Sequence, residues 1–353
     1  MITNVALTNF KGIRNCSFDG LGQINLFVGK NNSCKSTILE GVYYSLKEFS
    51  ESELTQIFQK RTNVFSGMSE LWFNYAKKEE ISFRIGFDNS DFNMEMSFDE
   101  DTNRIRCQLR VFDRKANNWQ TLPSTEYSSD FNAFRSVRYQ DYSTSISPEV
   151  RRNIADYIKR CSFIESLIKK DVVSLEGLLG VIKTRGMANV LGEHLFAIFG
   201  QGRNWEFLPS FDRPNEFRAV TYVNGTPFFI SGLGDGMRYA LHIIANCMLS
   251  KNTAVFIEEI ESNQHPASLG KLIPLIVKMA KENNLQLFIT TQSISLAWGF
   301  FEKEFTPEER EKYFKCFAVE RDEKTGSVTC TPQSKEDQST WDSSIHKGLY
   351  GDT

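Results

Sequence analysis

Nine residues, Gly29-Lys30-Asn31-Asn32-Ser33-Cys34-Lys35-Ser36-Thr37, constrain this chain more than any others. They follow a short apolar run, Ile24-Asn25-Leu26-Phe27-Val28, which has the form of a buried strand. They open a stretch with Ile38, Leu39, Val42, Tyr43 and Leu46 at helical spacing. A strand, a polar loop and a helix in that order make a phosphate cradle. Backbone N–H groups of the loop and the helix N-terminus surround the anion. The pattern GxxxxGK[ST] names four positions. Gly29, Lys35 and Ser36 match, and Cys34 stands where the second glycine belongs. At this spacing Lys35 reaches the β- and γ-phosphates of a nucleotide, and the Ser36 hydroxyl ligates Mg²⁺. The other reading is a Gly/Asn turn before a helix, with a solvated Lys35.

Ala254-Val255-Phe256-Ile257-Glu258-Glu259 is an apolar strand ending in two acids. Beside a phosphate loop, one such acid holds Mg²⁺ and the next polarises the attacking water. Ser231-Gly232-Leu233-Gly234-Asp235-Gly236-Met237-Arg238 precedes a helix striped by Met237, Leu241, Ile244 and Met248. Glycines at a helix start leave free N–H donors for an anion. Leu285 to Ser293 is a further apolar strand ending in a polar cluster that includes Gln292. Such an end, lying beside the acid-bearing strand, can sense a γ-phosphate.

Between these stations the texture changes. Runs such as Ile81–Phe87, Phe92–Phe98 and Arg104–Phe112 alternate in whole or in part with period two, and turn residues separate them, which reads as an antiparallel meander. Glu70–Tyr75 is grouped with these strands. Two helical stretches follow from Pro148 to about Phe199, without the sustained heptads of a coiled coil. The expected division is 1–48 and 201–325 as two halves of one α/β head, 49–142 as a β-rich lobe, 143–200 as a helical insertion and 326–353 as a polar tail.

Composition excludes several classes. The chain has 353 residues, Lys+Arg 41 against Asp+Glu 44, a net charge of -3 and 41% hydrophobic residues. That is neither a disordered nor a low-complexity chain. The near-neutral total gives no prior for nucleic acid. Seven cysteines at wide spacings contain no CxxC pair, which points to a reduced interior and not to a zinc site. No apolar stretch approaches the ~18–20 residues of a membrane span. A cytoplasmic location without membrane contact is expected. His194, His242, His265 and His346 are too scattered to suggest a metal site.

The order of these stations resembles that of ABC-type ATPases, and the wording is closest to the branch that includes OLD, RecF and SMC proteins. Leu7-Thr8-Asn9-Phe10-Lys11-Gly12-Ile13-Arg14-Asn15, the phosphate loop, Gly232–Arg238, Ile257–Pro266 and Phe288–Ser293 carry the likeness. It covers roughly residues 1–48 and 200–325. It implies an α/β P-loop head, a mixed sheet with flanking helices, carrying an inserted antiparallel β lobe and a short helical subdomain. It also implies ATP and Mg²⁺ as cofactors and a head-to-tail dimer around two nucleotides. By the resemblance, Gly29, Asn31, Asn32, Ser33, Cys34, Lys35, Ser36 and Thr37 bind nucleotide, and Ser36 and Glu258 hold the metal. Glu259 is the catalytic base and Gln292 the switch. Ser231, Gly234 and Asp235 act in trans on the partner's nucleotide. Gln59 and Gln120 are the two candidates for a glutamine coupling the lobe to Mg²⁺. His265-Pro266 fits the resembling family's HP step.

Three positions depart from the general pattern: Cys34 for Gly, Glu258 for Asp and Gln292 for His. All three are compatible with binding, and turnover is left open. A left-handed backbone at Cys34 would cost on the order of 1 kcal/mol. No Toprim-like acidic cluster follows Gln292 and no long arm joins the halves. The arrangement is similar to stand-alone anti-phage ATPases, such as PtuA of Septu, the PARIS ATPase and retron-associated ATPases. That likeness implies a separately encoded effector or nuclease as partner. Two other readings stay open: a RecF-like repair ATPase that binds DNA, and a structural head without nucleotide. Arg151, Arg152, Lys159, Arg160, Lys169, Lys170, Lys183 and Arg185 would mark the former or form an ordinary solvated face.

Overall fold

The computed structural model describes residues 1–46, 71–88, 90–101, 104–114, 117–121, 125–128, 157, 160–166, 172–209, 217–223 and 225–334. Gln59 and most of the proposed basic cluster lie outside them.

The chain opens with an antiparallel pair, β1 (Ile2–Phe10) and β2 (Ile13–Asp19), then β3 (Ile24–Val28) and α1 (Lys35–Leu46). Next come β4 (Ile81–Phe87), β5 (Ser90–Asp99), β6 (Arg104–Asp113), β7 (Asn118–Thr121), β8 (Thr125–Ser128) and β9 (Ser162–Ile164). Helices α2 (Val172–Thr184) and α3 (Ala188–Phe199) precede β10 (Trp205–Pro209), β11 (Phe217–Val223) and β12 (Thr226–Phe229). The last third holds α4 (Asp235–Leu249), β13 (Ala254–Ile257), α5 (Pro266–Asn283), β14 (Gln286–Thr291), α6 (Pro307–Tyr313), β15 (Phe314–Arg321) and β16 (Ser327–Pro332).

One 13-stranded sheet runs β7-β6-β5-β4-β1-β2-β16-β15-β3-β14-β13-β9, with β8 paired to β6. Its centre is parallel: β15, β3, β14, β13 and β9 all point the same way. Its far half is the antiparallel meander expected from period-two runs. The β-rich stretch is therefore no separate sheet; β4 pairs directly with β1.

The central strands are apolar on both faces because both faces are covered. Ile24, Leu26, Val255, Ile257, Leu287 and Ile289 face helices α2 to α5. Phe27, Phe256, Phe288 and Phe317 face α1 and the meander. These phenylalanines form a row across adjacent strands, with centroid distances of 5.4 Å for Phe317–Phe27, 6.4 Å for Phe27–Phe288 and 4.9 Å for Phe288–Phe256. Much of the phenylalanine content serves this layer.

Several segments differ from the sequence reading. Ser162–Ile164, inside the expected helical insertion, is edge strand β9, parallel to β13. Three residues are too few to show a period. Ser327–Pro332, assigned to a polar tail, is inserted between β2 and β15. Its Val328 is buried while its other residues are half-buried or exposed, so it reads as polar. Of the run Glu70–Tyr75, the described part, 71–75, is not a meander strand. Trp72 makes one bridge to Phe10, and Phe73–Tyr75 is a 3₁₀ turn with Asn74 and Tyr75 in left-handed conformation. Strands β10, β11 and β12 form a separate three-stranded antiparallel sheet.

Candidate nucleotide site

Parallel strands bring their carboxyl ends to one edge, and ligands bind in the crevice there. β3 delivers the loop from Gly29, β13 delivers Glu258 and Glu259, β14 delivers Gln292, and β9 delivers Glu165 and Ser166. The cavity at this edge is lined by Asn31, Asn32, Ser33, Cys34, Lys35, Ser36, Thr37 and Glu259, together with Gly12 and Arg321. Seven of the eight loop positions and the second acid of the pair thus meet, while Gly29, Glu258 and Gln292 are not part of the lining.

The loop is shaped by left-handed residues. Asn32 has φ 65° and Cys34 φ 71°. A side chain at Gly29 would bring its Cβ within 2.5 Å of the Val319 carbonyl, so only glycine fits against β15. Lys35 Nζ donates to the Gly29 and Lys30 carbonyls, each at 2.8 Å. Burial holds the Lys35 pKa below its usual value, against the pull of Glu259 and Glu261. A buried ammonium leaning on carbonyls is poised for a better anion. The Ser33 hydroxyl is buried without a hydrogen-bond partner, and α1 begins at Lys35 with no acidic residue in its first turn. These features fit a polyphosphate. Burial raises the pKa of the Cys34 thiol above its usual value, so it is neutral at pH 7.

The two acids are held differently. Glu258 is buried, and its carboxylate accepts from the Ser166 amide at 3.2 Å and the Ser166 hydroxyl at 3.4 Å. The extra methylene relative to Asp lets the carboxylate span from β13 to the end of β9. Glu259 has φ 48°, an outlier of the kind that marks functional turns. Its amide donates to Thr290 Oγ1 at 2.8 Å, and its carboxylate accepts from Gln292 Nε2 at 3.0 Å. The Gln292 amide in turn donates to Glu261 at 2.7 Å. Sequence reasoning missed Ser166, which touches Glu258 from a third strand; the strand before it is too short to be seen.

Ser231, Gly234 and Asp235 do not line this cavity. Ser231 and Gly234 are exposed and Asp235 half-buried, at the start of α4. They are nevertheless tied to the acid-bearing loop of the same chain. Tyr239 donates to the Glu258 carbonyl, Gln264 Nε2 donates to the Gly236 carbonyl at 2.5 Å, and an added Cβ on Gly236 would stand 2.3 Å from the Asn263 carbonyl. His265 caps α5 by accepting from the Ala267 amide at 3.1 Å, and His242 is buried in the core. Gln120 lies on β7 at the far edge of the sheet, away from the site. Among the described residues no cluster of three His, Cys, Asp or Glu could hold a metal by itself, and no helix is long and apolar enough to cross a membrane.

Residues 182–297 match an AAA domain family whose description names the AbiEii toxin and a Type IV TA system. An ATP/GTP phosphatase of Helicobacter pylori is 22% identical over 319 residues, spanning 83% of this chain and 85% of that protein. A DNA replication and repair protein RecF of Francisella tularensis is 39% identical over 66 residues, 18% of this chain and 19% of that protein. A crystal structure of an SMC head bound to the C-winged helix domain of ScpA superposes with a TM-score of 0.53 at 12% identity. It covers 96% of this chain and 99% of that one. The fold is that of an SMC-type ABC ATPase head, without a long coiled coil among the described residues.

Proposed function

We propose that this chain binds and slowly hydrolyses ATP, closes with a second copy around the nucleotide, and thereby controls a separately encoded effector or nuclease in bacterial anti-phage defence. The observation that carries the reading is the Glu259–Gln292 hydrogen bond at the mouth of the phosphate cradle. In the resting head the amide occupies the carboxylate that would orient water. A γ-phosphate competes for that amide and releases Glu259 to act as general base. Lys35 and the loop amides neutralise phosphate charge, which is the main catalytic requirement of phosphoryl transfer.

Mg²⁺ suits Ser36 and Glu258. The ion keeps several waters and takes one or two protein oxygens plus nucleotide phosphates, so no larger acidic cluster is needed. Closure with a second copy is supported by the signature loop, whose Ser231, Gly232 and Gly234 are exposed and do not line the cavity of their own chain. The defence role is supported by the family description, which names a toxin of a toxin–antitoxin system.

ATP binding and turnover of wild type, Lys35→Ala and Glu259→Gln, with assembly mass in parallel, tests the reading. Lys35→Ala abolishes binding, and Glu259→Gln binds without turnover and traps a larger assembly. Wild-type protein that binds no ATP refutes it. The RecF match favours a second reading, in which the head also binds DNA; Arg160, Lys183 and Arg185 are exposed. DNA affinity falling steeply with salt would mark it.

A further inference from the structure

Arg321 is the last residue of β15, which borders β3 on the side away from β14 and β13. β15 runs parallel to β3 with Ala318 beside Val28. Three residues further on, Arg321 reaches the level of Asn31 in the phosphate loop. Its side chain lines the cavity with Gly12, and its Nε donates to the Gly12 carbonyl at 2.9 Å. That bond orients the planar guanidinium and leaves its two terminal nitrogens for another acceptor.

The site therefore has direction. Glu258, Glu259 and Gln292 stand on one side of β3, and Arg321 with the β1–β2 turn stands on the other. A nucleotide whose γ-phosphate meets the acids and Gln292 extends its other end toward β15. Among the described residues, Lys35 and Arg321 are the cationic side chains lining the cavity. Lys35 lies inside the loop, which leaves Arg321 to meet the next negative charge along the chain of phosphates.

We propose that Arg321 binds the α-phosphate of the nucleotide, its terminal nitrogens pairing with the phosphate oxygens from the side of the Lys11–Gly12 turn. This rests on the nucleotide-binding reading above. The competing role is structural, with Arg321 as a clamp on that turn. A crossed pair of variants separates the two. Arg321→Lys keeps the charge but not the guanidinium geometry. Arg321→Gln keeps an amide donor for the Gly12 carbonyl but not the charge.

The experiment is equilibrium ATP binding by the full chain for wild type, Lys35→Ala, Arg321→Lys and Arg321→Gln, with urea unfolding of each without nucleotide. The expected result is a loss of about tenfold or more in ATP affinity for Arg321→Gln, with its urea midpoint unchanged, and a clearly smaller loss for Arg321→Lys. ATP affinity of Arg321→Gln equal to wild type overturns the proposal. So does a larger loss for Arg321→Lys than for Arg321→Gln that follows a fall in urea midpoint. If wild type binds no ATP, the nucleotide reading itself fails; if Lys35→Ala abolishes binding while Arg321→Gln does not weaken it, only this inference fails.

Discussion

Cys34 sits at φ 71°, where an L-residue with a Cβ is strained. The left-handed conformation costs roughly 1–2 kcal/mol for a non-glycine residue. Replacing Cys34 by glycine removes that strain. It also loses about 0.5–1 kcal/mol to the greater freedom of glycine in the unfolded chain. The thiol is half-buried against the β1–β2 turn, with Sγ 3.6 Å from the Gly12 carbonyl. Losing it forfeits less than the ~0.8 kcal/mol of a fully buried methylene. These effects nearly cancel, so Cys34→Gly should be within about 1 kcal/mol of wild type in stability. Cys34→Ala keeps the strain and loses the thiol contact, so it should be less stable than Cys34→Gly. Cys34→Val adds a β-branched side chain at positive φ and should be least stable, by about 2 kcal/mol or more.

The ordering is the diagnostic, because at an ordinary helical or strand position alanine is more stable than glycine. Urea unfolding reads it as a shift in midpoint at constant m-value. ATP affinity should follow the same order, since a twisted loop misdirects its amides. Cys34→Ala more stable than Cys34→Gly at equal m would refute the left-handed strain and the loop geometry built on it.

Two further predictions concern neighbouring parts of the site. Gly236→Ala drives a Cβ to 2.3 Å from the Asn263 carbonyl, a backbone atom that cannot step aside; urea unfolding should show a loss of about 1–3 kcal/mol, together with reduced ATP turnover, and unchanged values for both would show that the signature helix does not pack on the acid-bearing loop. For Lys35, burial lowers the pKa of the free protein below its usual 10.5, and bound phosphate favours the protonated form. Affinity for ATP is therefore complete while Lys35 is protonated in the free protein and falls as pH rises through its lowered pKa toward 10.5, with proton uptake on binding in that window. Calorimetry in two buffers of different ionisation enthalpy checks this, and binding without proton uptake anywhere in the alkaline range would contradict it.

The parts of this fold that were legible in the sequence are those whose local pattern and burial agree. Ile24–Val28, Ala254–Ile257 and Leu285–Thr290 read as buried strands because both faces of the central sheet are covered. The meander read correctly because one face is solvated, as in Phe83, Arg84 and Ile85. What the pattern hid was pairing over long distances. β16 fits between β2 and β15 through two short contacts, Ser327–Asn15 and Val328–Cys16, with β2, and β9 joins β13 through three. Such contacts carry no local signature.

The same division holds at the site, and it explains why Arg321 and Ser166 went unseen while Lys35 did not. Lys35, Ser36, Glu258 and Glu259 follow strands long enough to announce themselves, and their spacing is itself the motif. Ser166 and Arg321 reach the crevice only because β9 and β15 run parallel to their neighbours and end at the same edge. Their chemistry comes from sheet order, not from sequence neighbours. Cys34 and Glu259 are intermediate cases. Both are visible as motif positions, yet their left-handed backbones carry no glycine to betray them. Strain at a non-glycine residue persists only where the surroundings hold it. Here the Glu259 amide bonds Thr290 Oγ1 and its carboxylate bonds Gln292, both from β14 or its end. The geometry of Glu259, the proposed base, is thus tied to the strand that ends at Gln292. On the proposed reading, a ligand that draws Gln292 away frees the Glu259 carboxylate from its hydrogen bond while the Thr290 contact still holds the Glu259 amide, so release of the base and sensing of the γ-phosphate would be one event.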